Sequence, residues 1–127
     1  VIHIPVPQFL KWFTFIYKVI INMEPRIKTA FEKLINSELI KDIYPMVDHI
    51  DITDMVEHPL YYGDILSIKI FLNDPSITKD NMFQSDFDPH YLADKHIRGL
   101  SKYLGLDIVD VTFKVYNPDG KLIFNWS

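Results

Sequence analysis

The spacing of apolar residues changes at Pro45, and no other feature of the chain constrains the fold as much. Before Pro45 the apolar residues recur at helical spacing. Gln8, Lys11, Thr14, Lys18 and Asn22 form one narrow polar stripe, while Phe9, Leu10, Trp12, Phe13, Ile16, Val19 and Ile20 cover the remaining arc of a helix. Pro25 suits the first turn of a second helix, in which Ile27, Phe31, Leu34 and Ile35 line one side and Lys28 can pair with Glu32 across a turn. Asn36-Ser37 ends this helix or re-caps a short third one through Ile43, since serine is a good N-cap.

After Pro45 the period is two. Ile50 and Ile52 alternate with His49, Asp51 and Thr53, and Leu66, Ile68, Ile70 and Leu72 alternate with Ser67 and Lys69, which is the pattern of half-buried strands. Residues 57–63 read as a loop bearing two tyrosines, and residues 74–86 as a polar, mobile connection. Asp88-Pro89 opens another helix, an N-cap followed by proline, with Leu92, Ala93, His96, Ile97, Leu100, Tyr103 and Leu104 as its buried face. Gly105 suits its left-handed C-cap, with Leu106 folding back. A hairpin closes the chain: Val109, Val111, Phe113 and Val115 run to the turn Asn117-Pro118-Asp119-Gly120, and Leu122, Phe124 and Trp126 return on the core face.

The order is α-α-β-β-α-β-β, an α+β fold with a four-stranded, mainly antiparallel sheet and helices packed on one face. Residues 1–23 are expected to act as an apolar N-terminal docking segment and residues 24–127 as a single α+β domain. A chain of 127 residues with 48% hydrophobic content has enough apolar material for one core and too little length for two. The N-terminal stretch makes a poor membrane span, because it is short and holds Lys11 and Lys18.

Composition also removes whole classes of chemistry. With no cysteine, there is no disulfide scaffold, thiolate nucleophile or cysteine-based metal centre. The four glycines, Gly63, Gly99, Gly105 and Gly120, are isolated, so neither a phosphate-cradling loop nor a dinucleotide fingerprint can be written. No serine stands in a nucleophile-elbow context. A net charge of -4 makes a phosphate-tracking nucleic-acid binder the weakest reading. Isoleucine and lysine, at 18 and 11 copies against two alanines and two arginines, are what AT-rich codons produce. With Val1 at the start, this leans toward a processed mitochondrial protein rather than a cytoplasmic one.

Two polar clusters could carry chemistry. Asp86, Asp88, His90 and Asp94 could gather oxygen and imidazole ligands for a metal, His90 and Asp94 being one helical turn apart. Capping is the simpler account, because it explains Asp88 and Pro89 together and leaves His90 exposed in the first turn. His49 with Asp51 could form a carboxylate-oriented general base, or simply belong to the wet face of a sheet. His96, on a core-facing position, reads as a satisfied core histidine.

The expected function is therefore a non-catalytic interaction or accessory subunit of a larger protein assembly, without catalytic residues, metal or cofactor. Its partner-binding residues would be Phe9, Leu10, Trp12, Phe13 and Ile16, whose apolar arc exceeds what one sheet face can cover. Other protein subunits are the expected partners, and a membrane surface is a further one. Two alternatives stand beside it. One is a small enzyme or ligand-binding domain, its pocket between sheet and helices holding Asp86, Asp88 and His90, with or without His49, as acid/base or metal groups. The other is an RNA- or ribosome-associated subunit using Arg26, Lys28, Lys33 and Lys41.

Overall fold

The computed structural model describes residues 25–127. The N-terminal helix and the partner-binding residues Phe9, Leu10, Trp12, Phe13 and Ile16 lie outside the described residues. Helix α1 spans Pro25–Ile35 and buries Phe31 and Ile35, while Lys28 and Glu32 pair at 3.8 Å on its outer side. A short α2, Glu38–Ile43, follows at once. Ser37 takes the extended N-cap conformation, but its side chain caps nothing; its carbonyl accepts from the Ile40 and Lys41 N–H groups instead.

Strands β1 (Val47–Glu57) and β2 (Asp64–Leu72) form an antiparallel hairpin, and β3 (Ile108–Tyr116) and β4 (Leu122–Trp126) form another. The sheet order is β1-β2-β3-β4, and the central pair β2/β3 is parallel. That parallel pairing follows from the helical crossover between them, because a parallel neighbour cannot be reached by a tight turn. The fold is thus α+β, in the order α-α-β-β-α-β-β, with a mixed, mostly antiparallel sheet.

The core lies between the sheet and the helices. Leu66, Ile68, Ile70 and Leu72 from β2 and Val111, Phe113 and Val115 from β3 meet Phe31, Ile35, Ile40, Leu92, Ile97 and Leu100 from the helices. Full burial of each such side chain contributes about 1.5–3 kcal/mol, which makes this layer the main source of stability. The connection after β2 belongs to the same core. Ile77, Met82 and Phe87 are buried there, Met82 within a 3-10 turn over Met82–Gln84, so the stretch read from its polar residues as mobile is pinned by three apolar plugs.

The crossover helix, α3, is composite. It begins at Pro89–Tyr91, runs as a π-helix over Leu92–Ile97, returns to α geometry at Arg98–Ser101 and tightens over Lys102–Leu104. A π turn takes up more residues than an α turn and so rotates everything beyond it. Tyr103, expected on the buried face, is instead 83% exposed. Gly105 then adopts φ 70°, ψ 18°, and the N–H groups of Gly105 and Leu106 bond the carbonyls of Lys102 and Ser101, the paired closure of a Schellman cap. In the terminal hairpin the Gly120 N–H bonds the Asn117 carbonyl at 2.9 Å, closing the expected turn.

One correction concerns β4. A register irregularity opposite Val115 and Tyr116 turns Ile123 into the core and leaves Leu122 44% exposed, while Phe124 and Trp126 stay on the core side opposite Val115 and Phe113, with Trp126 49% exposed at the rim. The expected alternation holds for Phe124 and Trp126, and the extra residue takes Leu122 out of it.

Candidate functional site

The Asp88-Pro89-His90 segment is a helix cap. Asp88 Oδ1 accepts from the His90 and Tyr91 N–H groups at 3.0 and 3.2 Å, and Pro89 fills the first helical position, where no N–H is needed. The other members of the sequence cluster point elsewhere. Asp94 pairs with Arg98 at 3.9 Å, and Asp86 lines an open hollow with Asp74, Ser76 and Asn81. Among the described residues no group of three or more His, Asp or Glu side chains is gathered to hold a metal ion.

His90 is neither ligand-like nor simply exposed. Its ring is set in an aromatic box, with Trp126 at 4.6 Å, Phe113 at 5.2 Å, Phe124 at 5.6 Å and Phe83 at 6.0 Å between centroids. The edge-on contacts with Trp126, Phe113 and Phe124 suit the electropositive rim of the imidazole. The box ties the end of β4 to the start of α3, and exposed Phe83 and Trp126 form its rim.

His49 lies on the other face of the sheet, at the opposite edge. Its Nδ1 is 2.6 Å from Asp48 Oδ2, its Nε2 is 3.9 Å from Asp51 Oδ1, and its ring stacks on Phe71 at 4.5 Å. Phe71 stacks in turn on Tyr116 at 5.1 Å, and Lys69 Nζ lies 5.7 Å from the Tyr116 centroid. This row spans three strands, and each ring uses a face on its neighbour. His90 and His49 do not share a site, because His90 touches the helix side of β3 and β4 while His49 sits on the other side of β1, so His49 does not join Asp86, Asp88 and His90.

His96 departs from its expected role. Its Nε2 is buried and has no hydrogen-bond partner, and its ring stands edge-on to Tyr44 at 5.5 Å and to Tyr91 at 5.4 Å. Burial, together with the nearby Asp88 carboxylate and Tyr91, pushes the Tyr44 hydroxyl up to about 12. Between α1 and the sheet is a mostly apolar cavity of about 60 Å³ lined by Ile27, Phe31, Ile52, Met55, Leu66 and Leu106 together with Lys28 and Thr53. Its two polar lining residues have partners of their own, Lys28 with Glu32 and the Thr53 hydroxyl with the Ser67 carbonyl at 3.0 Å.

Three of the four most exposed large apolar side chains among the described residues crowd the tip of the β1–β2 hairpin. Leu60, Tyr61 and Tyr62 are 83%, 68% and 93% exposed. The tip is held by its own chemistry: His58 Nδ1 accepts from the Leu60 and Tyr61 N–H groups at 3.0 and 3.1 Å, and the His58 and Tyr61 rings touch at 4.9 Å. Gly63 takes φ 124°, and any Cβ there would run into Val109. The sequence shows the two tyrosines but not that the loop fixes them outward.

No described helix is long and apolar enough to cross a membrane. Comparison of the chain with protein-family models, curated proteins and solved structures found no match.

Proposed function

We propose that the chain is a non-catalytic interaction or accessory subunit of a larger protein assembly. The hairpin tip carries this reading: three large apolar side chains stand in solvent on a loop whose backbone is already locked. Ordering cost is thus small when a partner covers them, and tyrosine supplies contact area at low side-chain entropy. The apolar N-terminal segment, with Phe9, Leu10, Trp12, Phe13 and Ile16, is the second docking element by sequence, and a membrane surface is an alternative to protein as its counterpart. The same isoleucine- and lysine-rich composition leaves mitochondrial residence as part of the proposal.

Site-specific photocrosslinking in the source cell tests it, with the reactive group at Tyr62 and a control at Lys95 on α3. A discrete adduct at Tyr62, lost when Leu60 and Tyr61 are changed to serine, is the expected result. Equal, diffuse labelling from both positions would count against a docking role for the tip.

A further inference from the structure

The two edges of the sheet are finished differently. At β1 the Asn36 carboxamide stands where a neighbouring strand would, donating to the Ile50 carbonyl at 2.9 Å and accepting from the Ile50 N–H at 2.7 Å. Two register irregularities break the line of β1, and Asp48, Asp51, Asp54 and Glu57 charge it. Side-chain cover, bulges and charge are devices by which proteins stop an edge from pairing. Strand β4, Leu-Ile-Phe-Asn-Trp, has no charged residue and no proline, and its one irregularity lies in the pairing with β3. Among the described residues no side chain or loop bonds its outer backbone groups.

The two faces beside this edge differ in chemistry. On the helix side β4 carries Phe124 and Trp126, and exposed Phe83 stands against Phe124 at 5.3 Å, so the surface there is aromatic. The open side is basic. Asn125 is in register with Lys114 of β3, and Lys114 with Lys69 of β2, so two ammonium side chains share one row across the sheet. Lys69, Lys114 and Asn125, with Ser67, Thr112 and Ser127, line a groove of about 190 Å³. Lys121 stands just before β4. Among the described residues none of these three lysines pairs with a carboxylate. Like charges directly opposite one another destabilise a sheet, so this row gains from an anion laid over it. Asp51, in register with Lys69, lies 3.9 Å from His49 and three strands from β4. The nearer carboxylates are off the row: Asp88 on the helix side beside His90, Asp119 in the turn, and Asp110 on β3 beyond the residues that pair with β4.

We propose that the free edge of β4 accepts an extended, acidic segment of a partner protein as a fifth strand. Its carboxylates face the open side, toward Lys114 and Lys69, and its apolar side chains face Phe83 and Trp126. A strand meets both demands at once, because its successive side chains point to opposite faces. Neighbouring strands lie about 4.8 Å apart, so a fifth strand runs about 10 Å from β3, a gap that Lys114 and a glutamate opposite Asn125 bridge together. Strand addition draws affinity from main-chain hydrogen bonds and specificity from alternate side chains. Charge selects this occupant over a second copy, which would bring its own Lys114 and Lys121 to the same edge. These lysines outweigh the chain's net charge of -4 at the contact, because salt screens exposed charges beyond about 8–10 Å.

Of the accessory-subunit reading this requires only that a partner exists, and it is read on β4, apart from the hairpin tip. Three labelled peptides probe the full chain. The first, acetyl-Glu-Val-Glu-Phe-Glu-Val-Glu-amide, presents its glutamates on one face and its apolar residues on the other. The second has lysine for glutamate, and the third is the glutamate peptide N-methylated at every residue. The glutamate peptide should bind, weaken with added salt, and slow amide exchange within 122–126 while leaving 47–57 unchanged. The lysine and N-methylated peptides should each bind at least about tenfold more weakly. A Phe83→Ser chain should bind the glutamate peptide at least about fivefold more weakly. A Lys114→Glu, Lys121→Glu chain, changed only at exposed positions, should reverse the order of the glutamate and lysine peptides. Serine at Leu60 and Tyr61 should leave these values unchanged, whether or not the tip docks. Equal binding of the glutamate and lysine peptides, retained binding by the N-methylated peptide, or no change in exchange at 122–126 would overturn the proposal. So would protection of 122–126 that grows with protein concentration alone and accompanies a doubled native mass, because a second copy would then hold the edge.

Discussion

Replacing Asn36 with alanine isolates the device that closes the β1 edge. The side chain makes three bonds, to the Glu32 carbonyl at 2.8 Å and to the carbonyl and N–H of Ile50 at 2.9 and 2.7 Å. Ile50 is a core residue of β1, so its backbone has little freedom to find new partners. Each Ile50 bond is worth about 0.5–1.5 kcal/mol net, and more where the abandoned group stays dry. Alanine returns roughly 0.5 kcal/mol through its better helix propensity at the end of α1. The expected loss is therefore about 0.5–2.5 kcal/mol, read as a fall in the urea midpoint at unchanged slope, and about 2–10 °C in Tm for a domain of this size. A loss below about 0.5 kcal/mol would mean that water satisfies Ile50 as well as the carboxamide does, and Asn36 would not be what closes the β1 edge.

Three further outcomes follow from particular contacts. His96→Phe keeps the ring between Tyr44 and Tyr91 and removes an unpaired buried nitrogen, so denaturant melts should show a gain of about 1 kcal/mol; a loss of that size would show that Nε2 is satisfied in solution. Asp88→Asn should be nearly neutral, because asparagine still accepts from the His90 and Tyr91 N–H groups, while Asp88→Ala should cost about 0.5–2 kcal/mol in the same assay. Tyr44 keeps its proton in the folded chain to about pH 12 but loses it near pH 10 when unfolded, so the unfolded state binds fewer protons in that window and stability falls as pH rises through it. Tyr44→Phe should flatten that part of the stability–pH curve, and an unchanged curve would contradict the burial of the hydroxyl.

Features set by local chemistry were legible in the sequence. The Asp88-Pro89 cap, the Gly105 closure and the Asn117–Gly120 turn each depend on a few adjacent residues with one favoured conformation. The alternation in β2 and β3 was equally clear, because their core sides face a continuous layer of helices. Features set by counting across a helix or a strand were not. Nothing in Leu92–Ile97 announces a π turn, and an α-helical count across it puts Tyr103 on the buried face, where the chain does not place it. The extra residue at Ile123 misled the reading of β4 in the same way. Asn36 read as a helix terminator, since its second role needs the position of a strand fourteen residues away. The aromatic box of His90 draws on residues from 83 to 126 and exists only after the sheet has formed.

The central claim is that this chain works by docking, and the native mass of the 127-residue chain tests it most directly. Measured by light scattering at high concentration, with and without mild detergent, the wild-type chain should exceed its 15.0 kDa monomer mass or require detergent to stay dispersed. Changing Phe9 and Trp12 to serine should return it to a folded monomer with the same melt. A wild-type chain that stays a soluble monomer without detergent, indistinguishable from that variant, would contradict the account.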